Sequence, residues 1–370
     1  MKIAIVHDFL NQYGGAERVV EVMHEMFPEA SVYTSVYLPD KMSDSFREMD
    51  VRVSFMQKLP GVETNYKKYF LIYPFAFDSF DLSGYDLILS SSSSYAKGIK
   101  KSKECMHICY CHTPARFIWR YDIYMEQENV SSLVRSIVRI AANLFLKKWD
   151  LKSNENVDYF LANSGYIRQR IKDIYDRDSY VIHPPVSVDS FSISDKVENY
   201  YLIVSRLNAY KKIDIVIEAF NELGLPLVVV GGGPHKSNLE GIAKDNIKFI
   251  GKVSDNELLE HYKGCKAFIF PGEEDFGITP VEAQASGRPV IAYGKGGALE
   301  TVVDGKTGLF FKEQTSECLI NAIKRFEECE KDFDPKVIRE NAERFSKERF
   351  KKEFGEFIEK KYCEWRNKKG

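Results

Sequence analysis

Apolar runs that suit buried strands alternate with amphipathic helical segments along most of the chain. The first strand, Ile3–His7, precedes Gly14-Gly15 and the segment A-E-R-V-V-E-V-M-H-E-M, whose apolar residues recur at helical spacing. This alternation predicts a parallel sheet with helices on both faces. Five further strands are predicted in the first half of the chain: Ser31–Tyr37, Val51–Phe55, Asp86–Ser91, Met106–His112 and Tyr159–Asn163.

A second alternating series follows a proline-containing segment, S-Y-V-I-H-P-P-V-S-V-D-S-F, and polar residues up to Asn199, which together predict an interdomain linker. The chain of 370 residues is long enough for two domains. We expect doubly wound α/β domains at residues 1–190 and 198–348, then a charged helix at 349–370. The second domain has a predicted helix at about Lys212–Leu223 and strands at Tyr201–Ser205, Leu227–Val230, Ile247–Ile250, Ala267–Pro271, Pro289–Ala292 and Gly308–Phe311.

Composition narrows the class of protein. A net charge of −2 argues against nucleic-acid binding. The opening M-K-I-A-I-V-H-D predicts a strand and not a secretion signal, and no apolar run is long enough to span a bilayer. Seven scattered cysteines indicate a reducing, cytoplasmic compartment. The segment C-M-H-I-C-Y-C-H is predicted as a strand, which puts His112 on the face opposite its cysteines, so we expect no zinc site there.

The stretch P-G-E-E-D-F-G-I-T-P-V-E-A carries the strongest candidate chemistry. Thr279 is predicted to cap a helix that begins at Pro280, and this places Glu282 at the third helical position. A helix N-terminus suits a phosphate, and the carboxylates of Glu274 and Glu282 suit sugar hydroxyls. Thr279 and Glu282 also fit a capping box, T-x-x-E, which needs no ligand.

Other polar residues follow predicted strands. Arg206 ends the first strand of the second domain and Lys211 begins the next helix, where two cations would neutralise a diphosphate; a solvated helix start is the alternative. Gly14-Gly15 would let the backbone approach a phosphate, although the longer G-x-G-x-x-G fingerprint does not occur at this position. His112, in Y-C-H-T-P-A-R-F-I-W, would contact a ligand or cap the Thr113-Pro114 turn.

The segment E-E-D-F-G-I-T-P-V-E-A resembles the E-x7-E signature of retaining GT-B glycosyltransferases of the large group-4 family, and A-S-G-R-P-V-I-A-Y-G-K-G-G-A-L-E-T-V continues the resemblance. It is most similar to the branch of bacterial mannosyltransferases that builds polysaccharide repeat units. The resemblance implies two Rossmann-like domains facing a cleft, with a C-terminal helix that crosses back to the first domain. We expect Phe345, Phe350, Phe354, Phe357 and Tyr362 to anchor that helix.

The resemblance also implies the role of each candidate residue. The enzyme would transfer a hexose from a nucleotide sugar, GDP-mannose before a UDP-sugar or another GDP-sugar, with retention and without a metal or other cofactor. Arg206 and Lys211 match the R-x4-K that holds the diphosphate, and Lys212 stands where many relatives have Gly. The sugar contacts would be Glu274 and His112; further donor contacts would be Gly14, Gly15, Lys252, Val253, Phe276, Gly277, Ile278, Thr279 and the ribose-binding Glu282; acceptor contacts would be Arg116 and Trp119.

Two segments suit the surface of a membrane. Leu133–Trp149 combines an apolar stripe with Arg135, Arg139, Lys147 and Lys148, and Asn65–Phe77 mixes lysines with aromatic residues. We expect a saccharide or polyprenyl-diphosphate-linked saccharide as acceptor and peripheral contact with an anionic membrane, against the alternative of an ordinary packed surface helix. A nicotinamide-dependent oxidoreductase and a non-catalytic scaffold are the rival functions.

Overall fold

The computed structural model describes residues 1–119, 139–140 and 142–368. The chain forms two compact units. The first consists of Met1–Pro185 together with Phe350–Gly370, and the second of Val186–Arg349. Each unit is built around one parallel sheet, as the alternation of strands and helices predicts.

The first unit contains a seven-stranded parallel sheet of order β3-β2-β1-β4-β5-β6-β7. Strand β7 was not predicted, because it is a three-residue edge strand without an apolar run and lies just before the two prolines of the expected linker. The strands are β1 Ile3–His7, β2 Ser31–Thr34, β3 Val51–Val53, β4 Leu87–Ser92, β5 Met106–Cys111, β6 Tyr159–Ala162 and β7 Ser179–Val181.

Helices of the first unit cover both faces of its sheet. Helix α1, Gly15–Met26, buries Val19, Val20, Val22 and Met23 against one face. The predicted helix Leu133–Trp149 lies partly outside the described residues; its described end is a π-helical turn, Ala142–Leu146, that leads into α5. The remaining helices are α2 Val62–Asn65, α3 Tyr73–Asp78, α4 Arg116–Trp119, α5 Lys147–Ser153 and α6 Gly165–Tyr175.

The second unit contains a six-stranded parallel sheet of order β10-β9-β8-β11-β12-β13. Its strands are β8 Tyr201–Val204, β9 Leu227–Val230, β10 Ile247–Gly251, β11 Ala267–Phe270, β12 Val290–Tyr293 and β13 Gly308–Phe311. Its helices are α7 Ile213–Leu223, α8 Lys236–Ile242, α9 Asp255–Gly264, α10 Ile278–Ala285, α11 Ala298–Thr301, α12 Ser316–Cys329 and α13 Pro335–Glu343. Two of the predicted strands, Leu227–Val230 and Gly308–Phe311, have the bounds that the apolar pattern gives.

The last helix, α14 (Lys347–Asn367), returns to the first unit. Phe350, Phe354, Ile358 and Trp365 are buried in the apolar cluster that contains β1 and α1. Phe345, which was also expected to anchor this helix on the first unit, does not do so. It is buried in the second unit against Phe276, with ring centroids 5.4 Å apart, because it precedes the helix. Among the described residues, no helix has the length and apolar character needed to cross a membrane.

Because Phe354 is 1% exposed, Phe354→Ala should leave a cavity and lower the free energy of unfolding of the first unit by about 3–5 kcal/mol. Glu359→Ala, on the exposed face of the same helix, is the matched control and should change it by less than about 0.5 kcal/mol. The free energy of unfolding of both variants is measured by urea titration, with hydrogen exchange of the first unit as the readout. Equal stability of the two would contradict the packing of α14 onto this core.

Candidate functional site

The loops with the candidate cations and carboxylate follow adjacent strands in the second unit. All strands of the sheet are parallel, so their carboxyl ends lie along one edge. The strand order reverses between β8 and β11, and ligands of open α/β sheets bind at such a reversal. Arg206 and Lys211 follow β8, and Glu274 follows β11.

Lys211 and Glu274 are in direct contact at this edge. The ammonium of Lys211 donates a hydrogen bond to Oε1 of Glu274, and the two side chains are 17% and 14% exposed. A lysine ammonium has three N–H donors, of which Glu274 takes one. The pair is therefore partly shielded from water yet keeps capacity for an anion. Arg206 lies exposed on the same loop as Lys211.

Two glycines after β12 hold the Glu274 loop in place. Gly296 has a φ of 64°, and a Cβ there would lie 2.4 Å from the carbonyl oxygen of Glu274. The N–H of Gly297 donates to that same carbonyl at 2.9 Å, and a Cβ on Gly297 would lie 2.2 Å from Cα of Phe276. Any side chain at these positions would displace the loop. Sequence reasoning did not predict this support, and the glycine-rich sequence G-K-G-G is the signal that could have indicated it.

The glycine run after β9 supports the Arg206 loop in the same way. A Cβ on Gly231, with φ 126°, would lie 2.0 Å from the carbonyl oxygen of Ser205, and one on Gly233 would lie 2.5 Å from that of Leu207. The run forms the turn after β9, and its crowded positions contact the β8 loop. At the neighbouring end of β10, Lys252 is exposed and Val253 is half-buried.

The predicted start of helix α10 is wrong. The helix begins at Ile278 after Gly277, whose φ is 88°, so Thr279 is inside the first turn and does not cap it. The left-handed glycine turns the chain earlier than expected, and Pro280 fits because N–H groups of a first turn have no acceptor within the helix. Glu282 is therefore not a capping-box residue. It is 4% exposed, and its Oε2 accepts a hydrogen bond from the hydroxyl of Tyr262 at 2.8 Å.

In the first unit, His112 follows β5 and is 9% exposed. Its Nε2 lies 2.7 Å from Oγ of Ser91, so the ring is bonded to β4 and not to the Thr113-Pro114 turn. Burial, together with the charge of His7, lowers the pKa of His112 to about 3. His112 is therefore neutral in the folded protein.

Three residues around His112 were missed by sequence reasoning: His7, Glu17 and Ser91. Nδ1 of His7 lies 3.0 Å from the carbonyl oxygen of Ser91, and its Nε2 lies 3.4 Å from Oε1 of Glu17. Oε2 of Glu17 accepts the N–H of Gly14 at 2.9 Å, just before Gly15 begins α1. Burial acts to lower the pKa of His7, but the hydrogen bond and charge of Glu17, the charge of Asp8 and the hydrogen bond with Ser91 together outweigh it, and the pKa is raised.

Arg116 and Trp119, the expected acceptor contacts, lie in α4. The indole N–H of Trp119 donates to Oδ2 of Asp150 at 2.6 Å, and Asp150 forms a buried ion pair with Lys97 at 2.8 Å. Arg116 is half-buried. Trp119 is thus fixed by the interior of the unit, directly before residues that lie outside the described part.

The described residues contain no group of three or more His, Cys, Asp or Glu side chains arranged to hold a metal. Cys105, Cys109 and Cys111 are buried thiols within or beside β5. His112 contacts Ser91 and not these sulfur atoms.

Solved structures share this architecture. A crystal structure of Anabaena HepE in complex with UDP has a TM-score of 0.73 at 18% identity and covers 97% of this chain and 100% of that chain. The sucrose-phosphate synthase of Thermosynechococcus elongatus has a TM-score of 0.74, also at 18% identity, and covers 98% of this chain. The fold is GT-B, with two Rossmann-like parallel-sheet domains.

The sequence comparisons agree with the fold. Residues 188–348 match the family described as Glycosyl transferases group 1. The chain is 26% identical to the alpha-1,3/1,6-mannosyltransferase ALG2 of Dictyostelium discoideum, over 83% of this chain and 85% of the relative. Over 32% of the chain and 36% of the relative, it is 34% identical to a GDP-mannose-dependent phosphatidylinositol monomannoside mannosyltransferase of Mycobacterium tuberculosis. Matches to two other curated glycosyltransferases span 55% and 44% of those relatives, about half of their length.

Buried histidines should make the first unit sensitive to acid. Burial lowers the pKa of His107 to about 4 and, with the charge of His7, that of His112 to about 3. Below about pH 6.5 the unfolded chain protonates these rings before the folded protein does, so each lowers the unfolding free energy by up to about 1.4 kcal/mol per pH unit. His7 has a raised pKa, so its contribution to stability has the opposite sign: it grows as the pH falls towards the unfolded pKa and is constant well below about pH 6.5.

Urea unfolding at about pH 7 and about pH 5 measures this loss of stability in the wild type and in His107→Asn. The variant should lose less stability on acidification, whatever its stability at neutral pH. An identical pH slope in both proteins would show that His107 is not held neutral.

Proposed function

We propose that the protein is a retaining hexosyltransferase that moves mannose from GDP-mannose to a saccharide acceptor in surface polysaccharide biosynthesis. The contact between Lys211 and Glu274 at the strand-order reversal is the observation that carries the proposal. It places a cation suited to a diphosphate beside a carboxylate suited to sugar hydroxyls. The match of residues 188–348 to glycosyl transferases group 1 supports it.

The proposed chemistry uses the charges at this edge. As the bond between the anomeric carbon and the diphosphate oxygen breaks, negative charge grows on the diphosphate. Lys211 and Arg206 stabilise that charge, and Glu274 holds the sugar hydroxyls. The acceptor hydroxyl attacks from the face that the diphosphate leaves, and its proton passes to a diphosphate oxygen. The configuration is thereby retained, without a metal ion.

The remaining candidate residues are assigned on the family resemblance. Glu282 is proposed to bind the ribose and Lys252-Val253 the base, with the backbone of Phe276–Thr279 completing the donor contacts. In the first unit, His112 and Gly14-Gly15 are proposed to contact the donor, and Arg116 and Trp119 the acceptor.

Mannose and guanine are proposed from the relatives. The Dictyostelium relative is named as a mannosyltransferase and the mycobacterial one as GDP-mannose-dependent. The HepE structure contains UDP, which makes a UDP-sugar the second candidate. Turnover measured across GDP- and UDP-sugars ranks these donors. NADH or NADPH oxidation without sugar transfer would favour an oxidoreductase, and no turnover of any donor would favour a scaffold.

Lys211→Ala and Arg206→Ala should each lower turnover about 100-fold or more, because each removes a cation that stabilises the leaving diphosphate. Both variants should remain folded, since Arg206 is exposed and Lys211 lies at the edge of the sheet. Donor hydrolysis and transfer, assayed in EDTA and again with Mg²⁺, measure the effect. Near-normal turnover in both variants would contradict the diphosphate assignment.

The next residue provides the matched control. Lys212 is exposed and has a φ of 55°, the left-handed conformation that glycine adopts without strain. Lys212→Gly therefore removes a neighbouring positive charge while it keeps the backbone path. It should retain turnover within about threefold of the wild type, a change of less than about 1 kcal/mol.

The acceptor is proposed to be a polyprenyl-diphosphate-linked saccharide at an anionic membrane surface. The exposed apolar patch of the first unit supports this; we define it as Leu71, Phe75, Ile140, Leu144 and Phe145. Phe75 and Phe145 stack with ring centroids 6.3 Å apart, which joins the two segments that the sequence singled out. Exposed apolar residues with basic neighbours suit the boundary between headgroups and acyl chains.

Basic residues flank this patch, as an anionic surface would require. Lys68, Arg139 and Lys148 are exposed, whereas Lys147 lies over the ring of Trp119 at 5.4 Å. Arg135 lies outside the described residues. The described apolar residues Ile140 and Leu144 are 56% and 65% exposed, which supports a surface contact over the packed stripe of an ordinary surface helix.

Sedimentation with anionic liposomes should be salt-sensitive and should weaken in Arg139→Gln/Lys148→Gln, by about 1 kcal/mol per removed charge. Phe75→Ser/Leu144→Ser should weaken it at every salt concentration, because this change removes apolar area. Lys312→Gln/Lys324→Gln and Leu299→Ser alter exposed residues of the second unit and are the matched controls. Equal losses in the patch variants and the controls would rule out the patch as the membrane contact.

A further inference from the structure

A continuous chain of polar contacts connects the glycine loop of the first unit with His112. It runs from the N–H of Gly14 to Glu17, from Glu17 to His7, from His7 to Ser91, and from Ser91 to His112. All four side chains are buried, with exposures between 0% and 9%. Strand pairing places His7 directly beside Ser91, at the point where the strand order of this sheet reverses.

The acceptors in this chain determine where its protons lie. Nδ1 of His7 is 3.0 Å from the carbonyl oxygen of Ser91, which can only accept, so Nδ1 carries a proton. Nε2 of His7 faces a carboxylate oxygen of Glu17 at 3.4 Å, which also accepts. With Glu17 ionised, both ring nitrogens of His7 face acceptors and His7 is an imidazolium, which agrees with its raised pKa.

The hydroxyl of Ser91 has one proton and two lone pairs. Its oxygen accepts from the protonated Nδ1 of His7 at 3.1 Å. Among the described residues, Nε2 of His112, 2.7 Å away, is the other partner of this hydroxyl, so the proton is directed to it. A neutral imidazole that accepts at Nε2 carries its proton on Nδ1. His112 thus has one defined tautomer, with Nδ1 as the donor.

We propose that Glu17, His7 and Ser91 are positioning residues that fix His112 in the Nδ1–H tautomer and tie the Gly14 backbone to the same network. The consequence for catalysis rests on the proposed function, in which His112 contacts the donor. Under that function, the network presents one N–H donor to the ligand. It also connects the glycine loop to the histidine.

Ordinary helix capping explains only part of this arrangement. Glu17 is the third residue of α1, and one of its oxygens accepts the N–H of Gly14 as in a capping box. The other oxygen faces His7, which capping does not require. Glutamine also fills a capping box, so Glu17→Gln keeps the cap and removes the charge that stabilises the imidazolium.

The other charged group near His7 has its own partners. The carboxylate of Asp8 accepts the backbone N–H groups of Ser93, Tyr95 and Ala96 at 2.6–2.7 Å. Its charge adds to that of Glu17 in raising the pKa of His7, while burial opposes both. Among the described residues, the titratable groups that act on His7 are Glu17, Asp8 and His112.

The second buried histidine of β5 provides an internal reference. Nδ1 of His107 donates to the carbonyl oxygen of Asn156 at 2.9 Å, and its Nε2 lies 2.7 Å from Oγ of Ser90. His107 and His112 are therefore both expected as neutral Nδ1–H tautomers. Only His107 has a carbonyl partner that holds the tautomer by itself, so the two rings respond differently to loss of their serines.

Two-bond ¹⁵N–¹H spectra of the full-length, ligand-free protein labelled at its histidines, recorded near neutral pH, read the protonation state of every ring nitrogen. Resonances are assigned with single histidine variants. We expect a doubly protonated His7 and an Nδ1–H tautomer for His112. Ser91→Ala should convert His112 into a mixture of tautomers and leave His107 unchanged, whereas Ser90→Ala should leave His112 unchanged. Glu17→Gln should make His7 neutral at this pH.

An Nε2–H tautomer of His112 in the wild type, or a tautomer that Ser91→Ala does not alter, would overturn the proposal. Unchanged His107 signals show that each variant is folded. The transfer assay separates this inference from the proposed function. A lost tautomer with a raised KM for the donor and a preserved kcat would support both, and a lost tautomer with normal kinetics would support the positioning network while counting against His112 as a donor contact.

Discussion

The parallel direction of all strands within each sheet is the constraint on which both candidate sites depend. It brings the carboxyl ends of the strands to one edge, where residues far apart in the sequence become neighbours. In the second unit this edge places Lys211 against Glu274, 63 residues later. In the first it places His7 beside Ser91, 84 residues later. Neither contact could form if the strands next to the reversal were antiparallel.

The sequence pattern was sufficient for the architecture but not for the details that local backbone geometry decides. Apolar runs located strands such as Leu227–Val230, because a strand buried on both faces needs an uninterrupted apolar segment. The edge strand Ser179–Val181 has no such segment and was taken for linker. The start of α10 was misplaced because Gly277 adopts a left-handed φ, a choice that T-P-V-E does not reveal. Arg206 and Lys211 were singled out because they follow a recognisable strand, and Glu274 because it precedes a predicted helix start; their roles stay predictions. The network around His112 was not singled out, because its members become neighbours only once strand order and register are known.

Some loop positions beside the candidate site of the second unit have room only for glycine. Gly231 and Gly296 both have positive φ and would place a Cβ within 2.4 Å of a neighbouring carbonyl oxygen. Their substitution would therefore cost backbone strain and displace the loops that carry Arg206 and Glu274. Lys212 shows the contrasting case. It also has a positive φ, but it is exposed, so a side chain is tolerated at a cost of about 1 kcal/mol.

The two ion pairs at the strand-order reversals, His7–Glu17 and Lys211–Glu274, differ in how exposed they are to water. His7 and Glu17 have side-chain exposures of 2% and 5%, so neither can reach a ligand without first losing its partner in a low-dielectric interior. The His7–Glu17 pair is therefore suited to fixing the positions of Gly14 and Ser91, which it contacts. Lys211 and Glu274, at 17% and 14%, keep contact with water, and a diphosphate or a sugar can replace part of their mutual interaction. Under the proposed function, similar charge chemistry therefore serves positioning in one unit and ligand binding in the other, and depth below the surface makes the difference.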